Sequence, residues 1–369
     1  MVRGHWSCGQ PEGKFSNMTH RTPLTGPCVW TGDEIKNSTR WIRDLPSSAV
    51  TELDAALAAV KAKGLEWSQI TRQDFPLTGL DGLLDDIRDE LENGSGILKL
   101  RGFPVDRYEE ADLRRLYFGL GTHIGTPVFQ NRSGEMMRAI RDEGAHVGRT
   151  YGETRDETGG TFLSSYARTL TNGSLRFHTD RTDVVGLLCV RQARAGGIST
   201  LASTPAIHNA ILARRPDLLD ELFHDYWRSR FGEEGTTKDT AYPLPIFGLR
   251  DGKFTSHYSL TFIEAAQMAP GVPKLTDRQK EAIDILMQTA QDLCFEMTLE
   301  PGDLQLINSH VTYHGRTPFE DDFDAGMSRL LLRIWLTMPN NRPLPAGHEI
   351  LWRHIEANTP RGGIQQVTI

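Results

Sequence analysis

An α+β protein with a mainly β core, of the β-sandwich or jelly-roll kind with helices packed outside it, is predicted by three observations. The second half of the chain is built of short apolar and β-branched runs bounded by Gly, Pro and polar clusters. Only two amphipathic helical patterns interrupt those runs. The first half mixes helical and extended patterns.

The elements follow in order. Residues 1–45 are rich in Gly, Pro, Thr and Ser and read as an irregular leader. From Ser47 to Lys63 the pattern turns helical, with Leu53, Leu57 and Val60 on one face. A second helix fits Leu83 to Leu91 and stops at Asn93-Gly94. GILKLRGFP (Gly96 to Pro104) reads as a strand, and Glu109 to Leu120 as a helix ended by Gly121. Residues 141–160 are polar and Gly-containing, so they suit a solvated loop or a mobile lid. FLSSYART, SLRFHTD and DVVGLLCVRQA are strand-like. Thr204 to Phe223 fits a helix opened by Thr204 and Pro205. A polar loop (228–243) leads to KFTSHYSLTFI, again strand-like. Thr276 to Leu293 is a helix with Thr276 and Gln279 in capping-box spacing. FEMTL and LQLIN, joined by EPGD, suit a hairpin-like pair, and Met327 to Met338 a long strand. The tail 339–369 is rich in Pro, Asn and Gly, which leaves 46–338 as a single domain with its core at about 96–338.

Composition narrows the function classes. The 369 residues are 38% hydrophobic and 24% charged, which suits a globular protein with a sizeable core. A net charge of -7 argues against a nucleic-acid partner. Cys8, Cys28, Cys189 and Cys294 form no CxxC pair, and a chain of this size needs no disulfide staples. No apolar run approaches the ~20 residues of a membrane span. The start, MVRGHWSCGQPEGKF, has no apolar signal region, so a cytoplasmic location is expected.

Chemistry concentrates in three places. In Phe177-His178-Thr179-Asp180, side chains at i and i+2 of an extended chain share a face, so an imidazole and a carboxylate converge. With 12 histidines a chance H-x-D is roughly an even bet, and His354-Ile355-Glu356 in the tail is a decoy of that kind. The second place, Ile307 to Arg316, lies about 130 residues on and carries His310 and His314. Two histidines and one carboxylate on one face, with open positions, is the non-haem iron(II) arrangement. The third is Ser328 to Leu336. Leu330, Leu332, Ile334 and Leu336 share one face; Arg329, Leu331, Arg333 and Trp335 share the other. That second face suits either water or a cationic site inside a barrel, where an Arg fork grips a carboxylate.

Together these segments resemble the taurine dioxygenase (TauD/TfdA) family of iron(II)/2-oxoglutarate oxygenases. The resemblance runs from about Gly96 to Met338 through GILKLRGFP, GTHIGTP, TNGSLRFHTD, VVGLLCVRQARAGGISTLAS, EPGDLQLINSHVTYHGRTPFED and SRLLLRIWL. It implies a distorted double-stranded β-helix, or jelly roll, with surrounding helices. It implies that His178, Asp180 and His314 bind iron, that His310 does not, and that Arg329 clamps the distal carboxylate of 2-oxoglutarate. Ser199 falls where the family often has a Thr that helps hold that carboxylate. Arg333 falls where members contact substrate or the co-substrate's other end. Because Asp180 is present, halogenation is not expected.

The implied reaction uses Fe(II), 2-oxoglutarate and O2 to oxidise a C–H bond of a small organic substrate, by hydroxylation, with release of succinate and CO2. Asn172, Arg181, His257 and Tyr258 are the candidate substrate contacts, and an acidic group on the substrate is compatible with the arginines. Assembly as a homo-oligomer is left open. Two rival classes are a metal-dependent hydrolase, for which no HExxH-type motif supplies a base, and a non-catalytic jelly-roll binding protein.

Overall fold

The computed structural model describes residues 20–156, 158–233 and 241–365. In it the strand-forming runs assemble into two principal sheets. The larger runs in the order Ile42–Asp44, Ile97–Arg101, Leu304–Asn308, Val184–Arg191, Leu330–Thr337 and Thr126–Pro127; Met137–Ile140 also pairs with Leu330–Thr337. The smaller runs Phe295–Met297, Ser199–Ser203, Thr312–Arg316, Leu175–His178. Among the described residues of these sheets, only the pairing of Ile42–Asp44 with Ile97–Arg101 is parallel. Neighbouring strands are far apart in sequence, as a jelly roll requires.

Alternation decides what each sheet face meets. In Leu330–Thr337, the side chains of Leu330, Leu332, Ile334 and Leu336 pack with Leu53, Ile87 and Leu116 of the helices Ser47–Ala62, Asp81–Glu92 and Glu110–Ile124. In the smaller sheet, Phe177, Ala202 and Tyr313 face outward onto Thr204–Arg214 and Asp277–Leu293. Between the sheets lie Val185, Leu201, Ile307 and Trp335. Each fully buried Leu or Ile in these clusters contributes about 1.5–3 kcal/mol of transfer free energy. The arginine face of Leu330–Thr337 therefore points inward, and Arg329 and Arg333 are buried.

Several local expectations shift for identifiable reasons. Helix Glu110–Ile124 runs through Gly121 rather than stopping there. A Cβ at Gly121 would lie 2.7 Å from Ile334 Cδ1, so glycine serves helix-to-sheet contact. Ser203, not Thr204, caps its helix by accepting from Ala206 N. That helix breaks into Thr204–Arg214 and Pro216–Glu221, because Pro216 disfavours helical geometry at Arg215. Thr276 and Gln279 do form a reciprocal capping box. FLSSYART and KFTSHYSLTFI are strand only at their starts. Ser164 caps helix Ser165–Thr169, and Leu260–Met268 is helical. FEMTL and LQLIN are not partners: Phe295–Met297 and Leu304–Asn308 belong to different sheets.

The chain ends are also built in. Thr31 caps helix Gly32–Lys36, and Trp30, Ile35 and Trp41 join the inter-sheet core, so residues 30–44 are not irregular. Residues 1–19 lie outside the described residues. In the tail, Trp352, Arg361 and Ile364 are buried. The 141–160 stretch carries helix Val147–Tyr151 and pairs Glu153–Arg155 with Thr161–Leu163. Part of the 228–243 loop is strand, Asp225–Ser229 pairing with Ala241–Pro245; residues 234–240 lie outside the described residues. Among the described residues no helix is long and apolar enough to cross a membrane.

Candidate metal centre and active site

His178 ends one strand of the smaller sheet, and His314 stands opposite it on the neighbouring strand. Asp180 follows two residues later. One ligand atom from each of the three lies within 4.8 Å of the others. His178 Nε2 is 3.9 Å from Asp180 Oδ1, and His314 Nε2 is 3.7 Å from Asp180 Oδ2. These gaps are too long for hydrogen bonds. They fall within the about 4.2 Å that two atoms can span around one ion at ~2.1 Å from each.

The surroundings prepare that role. His178 Nδ1 donates to the Arg176 carbonyl at 2.8 Å, which leaves the Nε2 lone pair facing Asp180. Trp335 Nε1 donates to Asp180 Oδ2 at 3.1 Å. Burial pushes the Asp180 carboxyl up, but Arg333 and the two imidazoles outweigh it and hold the group below its ordinary range. Burial, with repulsion from His178, pushes His314 down to about 3. At neutral pH the cluster is thus one carboxylate and a neutral His314, a donor set suited to a divalent cation.

Beside the cluster lies a cavity lined by His178, Ser199, Gln305, His314, Arg316, Arg329 and Arg333. Ser199 Oγ donates to Gln305 Oε1 at 3.0 Å, while Gln305 Nε2 has no partner. Arg333 Nε donates to Gln130 Oε1 at 2.7 Å. Arg329 Nη1 and Arg316 Nε and Nη1 are buried without hydrogen-bond partners among the described residues. Burial lowers Arg329 to about 10 and Arg316 to about 9. Among the described residues no carboxylate lies within salt-bridge distance of these three guanidiniums. Buried cations without anions are costly, so the cavity is built to receive negative charge.

The sequence brought Ser199, Arg329 and Arg333 to this cavity but missed Arg316 and Gln305, and it missed Trp335 as the donor to Asp180. Arg316 is i+2 from His314 on one strand, so parity alone places it on the ligand face. Gln305 is the one polar side chain inside the apolar run LQLI, a signal of the same kind.

The four substrate candidates do not line the cavity. Asn172 is exposed, and its carbonyl accepts from Phe319 N. Arg181 Nε donates to Leu351 O, toward the tail. His257 Nδ1 meets Thr179 Oγ1 at 3.1 Å, and the Tyr258 ring packs on Tyr313. These two pack behind the segment that carries His178 and Asp180. His310 bonds Asp183 and Thr255 rather than joining the metal cluster. Glu356, of the tail's H-x-E, pairs with Arg250.

A two-sheet jelly-roll core with a two-histidine, one-carboxylate cluster beside a cationic cavity defines a metal-dependent oxygenase of the 2-oxoglutarate type. The chain belongs to the taurine catabolism dioxygenase TauD, TfdA family, whose model matches residues 61–335. It is 31% identical to FR-33289 synthase of Streptomyces rubellomurinus over 88% of this chain and 93% of that protein. It is 28% identical to clavaminate synthase 2 of Streptomyces clavuligerus, over 68% and 77% respectively. Its fold resembles asparagine oxygenase in complex with Fe(II), 3-hydroxyasparagine and succinate (TM-score 0.59, 18% identity, 80% of this chain and 93% of that one). It also resembles the non-haem iron oxygenase OrfP with Fe and α-ketoglutaric acid (TM-score 0.58, 16% identity, 80% and 94%). The protein is therefore an oxidoreductase, an iron- and 2-oxoglutarate-dependent dioxygenase that consumes O2. Neither the hydrolase nor the non-catalytic module is favoured.

Proposed function

We propose that His178, Asp180 and His314 hold the iron, that Arg329 and Ser199 bind the distal carboxylate of 2-oxoglutarate, and that Arg333 receives an acidic group of a small organic substrate. The observation that carries this reading is the cavity itself, lined by His178 and His314 of the metal-competent cluster and by three buried guanidiniums.

Iron(II) and 2-oxoglutarate, when bound, supply the oxidising power for C–H hydroxylation, with O2 consumed and succinate and CO2 released. The chain's own residues orient and select. Trp335 fixes the Asp180 carboxylate, and the Arg176 carbonyl fixes the His178 tautomer. Gln130 holds Arg333 through both its Oε1 and a bond from its Nε2 to the Arg333 carbonyl, so the guanidinium is pre-set. Arg329 and Arg333 are four residues apart on an extended run, about 13 Å along it, which suits separate carboxylates. The structural neighbours' ligands, hydroxylated asparagine and arginine, each carry a carboxylate, in keeping with an acidic substrate.

Steady-state kinetics test the division of labour. Arg329→Ala should raise the 2-oxoglutarate KM by about two orders of magnitude, the loss of a charge-assisted bidentate pair, with iron affinity retained. Arg333→Ala should spare the 2-oxoglutarate KM and uncouple succinate formation from product formation. An unchanged KM in Arg329→Ala would place the anion site elsewhere.

A further inference from the structure

We propose that Arg316 is a second co-substrate-binding residue, forming with Arg329 a two-arginine clamp on the distal carboxylate of 2-oxoglutarate; this rests on the assignment of Arg329 to that carboxylate.

Arg316 reaches the site from the opposite sheet. It ends the strand Thr312–Arg316, two residues past His314, and stands in register with Ser199 on the next strand. Arg329 comes from the larger sheet, at the start of the strand Leu330–Thr337. The two guanidinium carbons lie 4.8 and 5.2 Å from the centre of the same Phe319 ring, so they are at most about 10 Å apart. Both side chains are nearly out of water, at 6% and 7% exposure. Arg316 uses only one nitrogen: Nη2 donates to Thr171 O at 2.7 Å and to Gly173 O. Its Nε and Nη1, and Arg329 Nη1, are left without partners among the described residues.

Two like charges side by side in a dry cavity repel, and each retains unsatisfied donors. A carboxylate has about four lone-pair sites, enough for the three unpartnered guanidinium donors and a hydroxyl such as Ser199. The acidic group of the substrate is the less suitable occupant. Arg333, assigned to that group, lies further along the strand toward Trp335 and Asp180, whereas Arg316 sits with Ser199 and Gln305 at the Arg329 end. Arg316 also pins the loop that leads into the His178 strand, so the test must separate holding the loop from binding the ligand.

The experiment is calorimetric titration of the iron(II)-loaded protein without oxygen. The ligands are 2-oxoglutarate and 2-oxopentanoate, which ends in a methyl where the distal carboxylate would be. Arg316→Met should weaken 2-oxoglutarate about tenfold or more and leave 2-oxopentanoate nearly unchanged, as expected for losing a hydrogen bond between charged groups. Arg316→Lys should fall between. Equal weakening of both ligands, or of neither, would overturn the proposal and leave Arg316 as a loop anchor. Arg329→Met run alongside separates the two readings. If it discriminates between the ligands and Arg316→Met does not, only the clamp fails; if neither discriminates, the distal site itself is misplaced. Melting temperature and iron affinity accompany each variant, and Arg316→Lys carries the test should Arg316→Met not fold.

Discussion

Asp180 and Asp183 are three residues apart, both buried, and each faces a histidine from the same late segment and an arginine from the C-terminal part of the chain. Their environments are otherwise opposite. Asp183 accepts from Arg361 Nε (2.8 Å), His310 Nε2 (2.9 Å), Asn341 Nδ2 (2.8 Å), Thr337 Oγ1 (3.0 Å) and Met338 N (3.0 Å). Among the described residues the Asp180 carboxylate accepts one hydrogen bond, from Trp335. Burial pushes the Asp183 carboxyl up, but His310 and Arg361 outweigh it and hold it well below the ordinary range. The same three residue types therefore make a closed knot at one place and an open site at the other. What separates structure from function here is saturation: a polar cluster that completes itself is a staple, and one left incomplete awaits a ligand.

The largest effect should come from removing each carboxylate in turn. Asp183→Ala leaves Arg361 buried without its anion and is expected to cost about 3–5 kcal/mol of stability. Asp180→Ala removes one partner of a cluster that lacks mutual hydrogen bonds. In the metal-free protein it leaves Trp335 Nε1 buried without its acceptor, so about 1–3 kcal/mol of stability should go, while iron binding and substrate oxidation are lost. Urea denaturation of both metal-free variants reads the difference. Equal destabilisation would mean that the Asp180 cluster is as self-sufficient as the knot.

This contrast also explains what the sequence could and could not disclose. His178 and Asp180 stood out because strand parity is a local rule, and the arginine face of SRLLLRIWL was visible by the same rule; His314 was set apart from His310 by the family resemblance. The knot was not visible. His310 appeared only as a competing ligand, and Arg361 lay in a tail whose Gly and Pro content suggested nothing buried. Arg361 and Asp183 are 178 residues apart, and no periodicity reports a contact of that range. Secondary structure failed where short capped helices occupy apolar stretches: Ser164 opens a single helical turn in a segment whose β-branched and aromatic content favours strand. FEMTL and LQLIN look like a hairpin because a Pro-Gly turn joins them, but a jelly roll sends successive strands to opposite sheets.

A smaller effect should separate knot from site by pH. Burial, opposed by the Asp183 bond, pushes His310 down to about 4. Its neighbours Arg361 and Arg342 add to the depression, and Thr255 Oγ1 can donate to a neutral Nδ1. An imidazole with a depressed folded pKa stabilises the fold above the unfolded value of ~6.5, and that stability is lost as pH falls from there toward 4. The slope in this window is about 1.4 kcal/mol per pH unit for one proton. His310→Gln should flatten the slope by up to that amount in the metal-free protein. Asp183 adds little in this window, since the stability from its depressed carboxyl is lost mainly as pH falls through the unfolded carboxyl value of about 3.9 toward the lower folded one. Denaturant midpoints between pH 6.5 and 4.5 check it; identical slopes would mean His310 already carries its proton in the fold.

The smallest effect compares two hydroxyls. Thr337 Oγ1 donates to Asp183 and accepts from Arg361 N at 3.0 Å, so it is saturated inside the knot. Ser199 Oγ bonds Gln305, and Gln305 Nε2 remains unsatisfied at the cavity wall. Thr337→Val keeps the shape and removes both bonds, leaving a buried backbone N–H unpaired; about 1–3 kcal/mol of stability should go, with the 2-oxoglutarate KM unmoved. Ser199→Ala deletes a group whose proposed partner is the co-substrate. Its stability cost should stay under about 1 kcal/mol, and the 2-oxoglutarate KM should rise by roughly 2- to 10-fold, one ordinary hydrogen bond. Melting curves and KM values on the two variants form a crossed pair. A Ser199→Ala protein with lowered stability and an unchanged KM would move Ser199 from the binding cavity to the scaffold, leaving Arg329 without its hydroxyl partner.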